Sequence, residues 1–127
     1  MTHTHDEIQA MDADQLRHAI DTALGYTGMR RTVAYRDRTE EQVYHDGGWV
    51  TLPDWTADIR AAWGLWEELR AVFFSTHLIG WDHTDRHYVI CHPRQGHGEN
   101  LPDVEAYGDT AHLAICRAWL MWKEAQG

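Results

Sequence analysis

Residues 109–124 read DTAHLAICRAWLMWKE, and they predict a helix that is buried on more than one side. Asp109 and Thr110 are suited to cap its first turn, because short polar side chains accept hydrogen bonds from the free N–H groups there. The apolar side chains that follow spread around most of the helix circumference instead of forming one narrow stripe. They are Leu113, Ile115, Cys116, Trp119, Leu120 and Trp122.

Two more helices are predicted upstream. Asp12 is a good N-cap, and apolar residues then recur every four positions until Gly25 ends the helix. The other helix opens at Pro53-Asp54-Trp55-Thr56, and one apolar face is expected to hold Ile59, Ala62, Trp63, Trp66, Leu69 or Arg70, and Phe73. Trp63 is therefore predicted to be buried, so that Trp63→Ala would cost about 3–5 kcal/mol of stability.

Extended segments separate these helices. Residues 31–36, 41–45 and 49–52 have β character, and Asp46-Gly47-Gly48 is a turn signal. Residues 78–81 and 86–91 predict a hairpin, and residues 92–108 predict a long loop with two prolines and three glycines. We therefore expect an α+β fold, a small three-layer α/β/α sandwich with a mainly antiparallel sheet and about three helices.

The 127 residues suffice for one domain, which we place at residues 12–127 behind a flexible N-terminal arm at residues 1–11. Hydrophobic residues make up 43%, a globular proportion, and no apolar run is long enough to cross a membrane. The polar, acidic N-terminus does not resemble a secretory signal. Cys91 and Cys116 are expected as free thiols in a reducing cytosol. These features predict a cytoplasmic protein.

Three stretches are also familiar as motifs. Residues 53–63 read PDWTADIRAAW, with Glu67-Glu68-Leu69 after them, and residues 109–118 read DTAHLAICRA. They resemble the P-x-Y-S-T-D-I-x-A-A-W…E-x-L and D-T-A-P-L-A-I-C-R-A helices of the phage ABA sandwich domain family, with His112 where proline is usual. Residues 23–26, ALGY, are similar to its V-M-G-W motif. The resemblance spans residues 12–125; it implies a small phage or prophage protein with helices on both faces of a sheet, and it implies no activity.

The charge pattern excludes some partners and points to others. Twenty acids and eleven bases give a net charge of −9, which opposes binding to long nucleic acids and anionic membranes. Within this acidic chain, Arg30, Arg31, Arg36 and Arg38 form a local positive cluster.

A nucleotide-like anion is one ligand that this cluster could bind. A guanidinium forms paired hydrogen bonds with phosphate, and a flat aromatic ring stacks on a base. The predicted ligand-binding residues are Arg30, Arg31, Arg36, Arg38, Trp55, Trp81 and Tyr88. In the alternative interpretation the arginines pair with nearby acids and the tryptophans belong to the core. Those acids are Asp37, Glu40, Glu41 and Asp46.

No catalytic, metal or cofactor site is predicted. The chain lacks a G-x-S-x-G, a P-loop and a G-x-G-x-x-G motif, and Cys116 lies on an apolar helix side where a thiol is inert. His83, His87, His92 and His97 lie close to Cys91, but their spacing fits no zinc pattern.

Three functional hypotheses follow. The first is a small non-catalytic phage or prophage protein that sequesters a nucleotide-like signal and so counters bacterial defence, in the host cytoplasm. The second is an acidic protein-interaction module that inhibits a host protein, and the third is a nucleotide hydrolase. Assembly into a homo-oligomer is a further expectation.

Overall fold

A computed structural model describes residues 3–79, 87–93 and 103–126, which form four helices and six strands. In chain order these are α1 (His5–Ala10), α2 (Ala13–Ala23), β1 (Arg30–Ala34), β2 (Thr39–His45), β3 (Gly48–Leu52), α3 (Ile59–Val72), β4 (Phe73–Ile79), β5 (His87–Pro93), β6 (Val104–Gly108) and α4 (Ala111–Gln126).

Helix α4 lies at the centre of the core, as its sequence predicts. The Thr110 hydroxyl accepts a hydrogen bond from the Leu113 N–H at 3.3 Å and caps the first turn. Residues 114–116 and 118–122 are all buried, so the helix is covered around most of its circumference. The covering elements are α1, α2, α3, β5 and β6. Trp119 is fully buried, and its indole Nε1 donates to Glu68 Oε2 on α3 at 2.6 Å.

The second sheet packs against this helix. Its strands run antiparallel in the order β4–β5–β6. The predicted pairing of residues 78–81 with 86–91 is confirmed for Leu78 with Val89 and Ile79 with Tyr88, and residues 80–86 lie outside the described residues. Val89, Cys91, Val104 and Ala106 alternate along β5 and β6 and are buried in the same core cluster as α4. A Cβ on Gly108 would lie 2.8 Å from Leu113 Cβ, so this position accepts no side chain where β6 meets α4.

The first sheet is a three-stranded antiparallel meander, β1–β2–β3. His45 pairs with Gly48, which leaves a two-residue turn in which Asp46 and Gly47 both have positive φ, at 49° and 85°. Two positive φ values are typical of the turn that suits a twisted hairpin, so the predicted turn is confirmed. Only Val43 and Leu52 are buried apolar residues in this sheet, and both lie outside the main core cluster.

The predicted α+β class with antiparallel sheets is confirmed, but the number of elements differs. The strands form two sheets of three, where one sheet was expected, and the helices number four. Strand β6 lies inside the stretch that was predicted as a loop, so that prediction is wrong for residues 104–108. The loop interpretation rested on proline and glycine content, whereas β6 is formed by pairing with β5, which local composition does not encode.

Residues 5–10, expected as part of a flexible arm, form helix α1. Thr4 and Glu7 make a capping box around its first turn, and Ile8 is fully buried in the core. The Gln9 side-chain amide donates to the Tyr107 carbonyl at 2.8 Å and accepts from the Tyr107 N–H at 3.1 Å. Gln9 thus satisfies both backbone groups of one residue on β6. A helix with a single buried apolar residue gives no apolar period to detect in the sequence.

Helix α3 faces the core with a different set of residues from the predicted one. Asp58 accepts a hydrogen bond from the Arg60 N–H at 2.9 Å, and the helix begins at Ile59. Its buried residues are Ala62, Leu65, Trp66 and Leu69. Trp63 is 45% exposed and Ile59 is 43% exposed, so their predicted burial is wrong, and Phe73 begins a strand.

The physical reason is that α3 is apolar on two adjacent faces. The spacing i, i+3, i+4, i+7 runs through Ala62–Leu65–Trp66–Leu69, and Trp63 lies about 100° away from Ala62 around the helix. Periodicity alone therefore could not choose between the two faces. Packing against α4 decides it in favour of the leucine-containing face.

The corrected register predicts that Trp66→Ala destabilises the fold by about 3–5 kcal/mol, because it empties a buried site. Trp63→Ala is the matched control, and it should change the free energy of unfolding by less than about 1 kcal/mol at low protein concentration. Urea unfolding of both variants beside the wild type measures this difference. Equal losses in the two variants would contradict the register.

Candidate functional site

A buried carboxylate joins the first sheet to the helices. Asp21 on α2 is fully buried. Its Oδ1 accepts a hydrogen bond from Trp55 Nε1 at 2.8 Å, and its Oδ2 lies 3.0 Å from Arg30 Nη2 on β1. The latter contact is an ion pair without the alignment of a hydrogen bond. A second ion pair, between Arg17 and Asp54 at 3.4 Å, also links α2 to the turn before α3.

Two of the predicted ligand-binding residues therefore meet, but around an anion that the chain itself supplies. Arg30 and Trp55 are an arginine and a tryptophan that converge on one carboxylate, as was expected for a ligand. The carboxylate belongs to Asp21, and its negative charge is matched by the guanidinium in a region shielded from water. Such a pair holds elements together, because removing either partner leaves a buried charge without compensation.

Arg31 lies on the opposite face of the same strand. Its guanidinium carbon sits 4.0 Å above the centre of the Trp49 ring, and its Nε donates to Gln42 Oε1 at 2.8 Å. Tyr44 meets the same tryptophan edge-on, with ring centroids 5.5 Å apart. Tyr44 is 47% exposed and Trp49 is 37% exposed. We call Arg31, Tyr44 and Trp49 the aromatic face.

The other predicted residues lie apart from the aromatic face or outside the described residues. Arg38 pairs with Asp37 at 3.3 Å and Glu40 at 3.2 Å, in line with the alternative interpretation, and its guanidinium carbon lies 4.6 Å from the Tyr35 ring centre. Arg36 is exposed.

Tyr88, also predicted as a ligand-binding residue, is half-buried on β5. Its ring lies 5.7 Å from that of Tyr107. Trp81 lies outside the described residues. Among the described residues, the predicted set forms no single pocket.

Trp49 and Tyr44 were not predicted as site residues, although the sequence contains the signal that places them. A two-residue turn at Asp46-Gly47 makes Tyr44 and Trp49 direct cross-strand partners. Side chains alternate across a strand, so the turn position alone puts both rings on the same face as Gln42. Arg31 joins them because it pairs with Gln42 on β1.

A groove of about 900 Å³ lies between α1, α2 and the end of α4. Glu124 and His3 both line the groove and contact each other. The His3 N–H donates to Glu124 Oε2 at 2.5 Å, and the His3 ring nitrogen Nδ1 lies 2.6 Å from Glu124 Oε1. Glu7, His18 and Lys123 also line the groove, so its charges are mixed. None of the predicted ligand-binding residues lines it.

The surroundings of Cys116 agree with the inert thiol that the sequence predicts. The Cys116 thiol donates to the Trp55 carbonyl at 3.1 Å. Burial, with a smaller contribution from the charge of Asp54, raises the pKa of Cys116 well above its usual value, so the thiolate is disfavoured. Burial also lowers the pKa of Arg117, whose guanidinium donates to the carbonyls of Tyr107 and Met11 at 2.9 Å each.

Residues 3–79, 87–93 and 103–126 contain neither a cluster of metal-binding side chains nor a membrane-spanning helix. No group of three histidine, cysteine, aspartate or glutamate side chains is placed there to hold a metal ion. His83 and His97 lie outside these ranges. No helix within them has the length and apolar character needed to cross a bilayer.

Comparisons with protein-family models, with curated proteins and with solved structures found no match to this chain. The resemblance to the phage ABA sandwich family therefore stays a prediction from the quoted motifs.

The Asp21 contacts predict a large penalty for removing either partner. Asp21→Ala should lower the free energy of unfolding by about 3–5 kcal/mol, because Arg30 is left partly buried without its counter-charge. The double variant Asp21→Ala/Arg30→Met should recover part of that loss, since no unpaired charge remains. Asp37→Ala, at a mostly exposed surface pair, is the control and should change stability by about 0–1 kcal/mol. A fully stable Asp21→Ala protein would contradict this role.

Both cysteines should resist alkylation in the folded protein. Cys91 and Cys116 are fully buried, and the raised pKa of Cys116 keeps its thiol protonated. With iodoacetamide at pH 8, we expect no adduct on the native chain and two adducts per chain in urea, read by mass spectrometry. Native-state modification of Cys116 at the rate seen in urea would show that the thiol is accessible.

Proposed function

We propose that this protein is a non-catalytic interaction module that binds a partner protein with a basic surface through the aromatic face. The observation that carries the proposal is that Trp49 contacts both Arg31 and Tyr44 and that all three residues are exposed. Tryptophan, tyrosine and arginine are the side chains enriched among the residues that dominate protein–protein binding energies. The Tyr44 and Trp49 rings are already held by contacts across the strands in the free protein, which lowers the entropy lost on binding.

The geometry favours a protein over a nucleotide as the partner. A base needs an open aromatic ring, but one side of the Trp49 ring is covered by the Arg31 guanidinium at 4.0 Å. A nucleotide also favours a concave site, whereas these residues lie side by side on the strands of a sheet. Arg30, which was expected to bind phosphate, is engaged by Asp21.

The charge distribution supports a basic partner. Four arginines and four acids lie between residues 30 and 52, so the first sheet has no net charge, and the whole excess of −9 lies on the rest of the chain. An acidic body around a neutral aromatic surface attracts a basic protein over a distance and leaves the contact itself free of like-charge repulsion. In the phage setting that the resemblance implies, the partner is a protein of the bacterial cytoplasm.

The test compares three forms of the protein as immobilised baits for a bacterial lysate. A partner that supports the proposal is retained by the wild type and by Thr39→Ala, a control on the other face of β2, but not by Tyr44→Ala/Trp49→Ala. With that partner purified, Trp49→Ala should weaken binding about tenfold or more by calorimetry, and Trp49→Phe should weaken it less. Affinity should fall as salt rises, because part of the attraction is electrostatic.

Two results would count against this proposal. One is a partner that binds the double variant as tightly as the wild type. The other is a cyclic or linear nucleotide that raises the melting temperature of the wild type but not of Arg31→Ala, which would support the sequestration hypothesis instead.

A further inference from the structure

Helix α3 exposes apolar side chains that the fold does not use. Ile59 and Trp63 lie one turn apart and are 43% and 45% exposed. They do not belong to the buried face of the helix, which is formed by Ala62, Leu65, Trp66 and Leu69. Exposed apolar side chains that lie together, and not singly, mark a candidate interaction surface.

Gly64 follows this tryptophan, and the described residues give no structural reason for a glycine there. It lies in the middle of a 14-residue helix, where glycine costs about 1 kcal/mol relative to alanine. A Cβ at this position would meet no atom within 4 Å among the described residues, so none of them requires the small size of glycine. A glycine in a helix allows the backbone of another helix, or a large side chain from it, to approach closely.

Four of the exposed residues of α3 lie along one side of the helix. Arg60, Trp63, Gly64 and Glu67 are spaced i, i+3, i+4 and i+7, which places them on one side of the helix, and all four are exposed. A second helix that packs along this side would contact all four residues. Arg60 takes part in none of the described ion pairs, and Glu67 has only an exposed contact with Arg70 at 3.5 Å.

We propose that two copies of this chain dimerise through antiparallel α3 helices related by a two-fold axis between Trp63 and Gly64. Under that symmetry, positions equally far from the axis face each other. The Trp63 ring of each copy then lies over Gly64 of the other, in the space that the missing side chain leaves. Arg60 of each copy faces Glu67 of the other, which gives two ion pairs of opposite charge.

This side of the helix therefore complements itself in shape and in charge under the same operation. A two-fold interface requires this property, because the same patch serves both subunits. Helix α3 is about 21 Å long, so the contact is small and the dimer is expected to depend on protein concentration. The inference does not rest on the proposed function, since α3 and the aromatic face share no residue.

Sedimentation equilibrium of the full chain over a concentration series tests the dimer. The wild type should reach a dimer as concentration rises. Arg60→Glu and Glu67→Arg should each weaken association about tenfold or more, because each places like charges opposite one another. The double variant Arg60→Glu/Glu67→Arg should restore association to within a few-fold, since the pair is reformed with its signs exchanged.

A second pair of variants separates dimerisation from folding. Gly64→Leu should abolish the dimer by filling the space for Trp63, while the monomer melts no lower than wild type because leucine favours the helix and meets open space. Tyr44→Ala/Trp49→Ala should leave association unchanged, which distinguishes this surface from the aromatic face. A wild type that stays monomeric at every concentration would overturn the proposal, as would a dimer that Gly64→Leu or the single charge reversals leave intact.

Discussion

The buried carboxylate of Asp21 holds together parts of the chain that hydrophobic burial does not. The first sheet contributes only Val43 and Leu52 to buried apolar area, and neither belongs to the main core cluster. Three strands need an apolar face or a packed neighbour to be stable in water. Asp21 meets that need from helix α2, by binding Arg30 on β1 and Trp55 in the turn before α3.

The contact between Asp21 and Arg30 also determines on which face of the sheet the neighbouring side chains lie. Arg30 and Arg31 are neighbours in sequence, and alternation sends their side chains to opposite faces. Once Arg30 is fixed to Asp21, Arg31 must lie on the opposite face of the sheet, together with the cross-strand residues Gln42, Tyr44 and Trp49. Arg30 thereby stabilises the fold, and Arg31 lies on the aromatic face that we propose for binding. A cluster of arginines in a sequence therefore does not define one site, because strand geometry divides it.

The features that local rules encode could be predicted from the sequence. Asp12 caps α2, Asp46-Gly47 forms the turn and Thr110 caps α4, because each depends on residues a few positions apart. The features that were missed depend on distant partners. Strand β6 exists through pairing with β5, and α1 is held by Ile8 in the core and by Gln9 on Tyr107. The same applies to the site, since the anion bound by Arg30 lies nine residues earlier on another element.

Tryptophan usage shows how far composition can be interpreted. The sequence contains seven tryptophans, an excess that indicates either a dense core or a binding surface. The structure divides the described ones between the two: Trp66, Trp119 and Trp122 are buried around α3 and α4, whereas Trp49 and Trp63 are exposed on separate elements. Trp55 lies between these groups, packed on the core and bonded to Asp21.

The two exposed tryptophans differ in what holds them. The Trp49 ring is contacted by Arg31 and Tyr44 from the other two strands of its sheet, and the Arg31 guanidinium covers one side of the ring. Trp63 has its own neighbour Trp66 at 6.0 Å and open space beside Gly64. Because the Trp49 ring is already held by its own sheet, a different protein can bind against it as it stands. The Trp63 ring lies beside the open space at Gly64, which the Trp63 ring of a second copy can fill. For this physical reason we assign the two surfaces to different partners, another protein and a second copy of this chain.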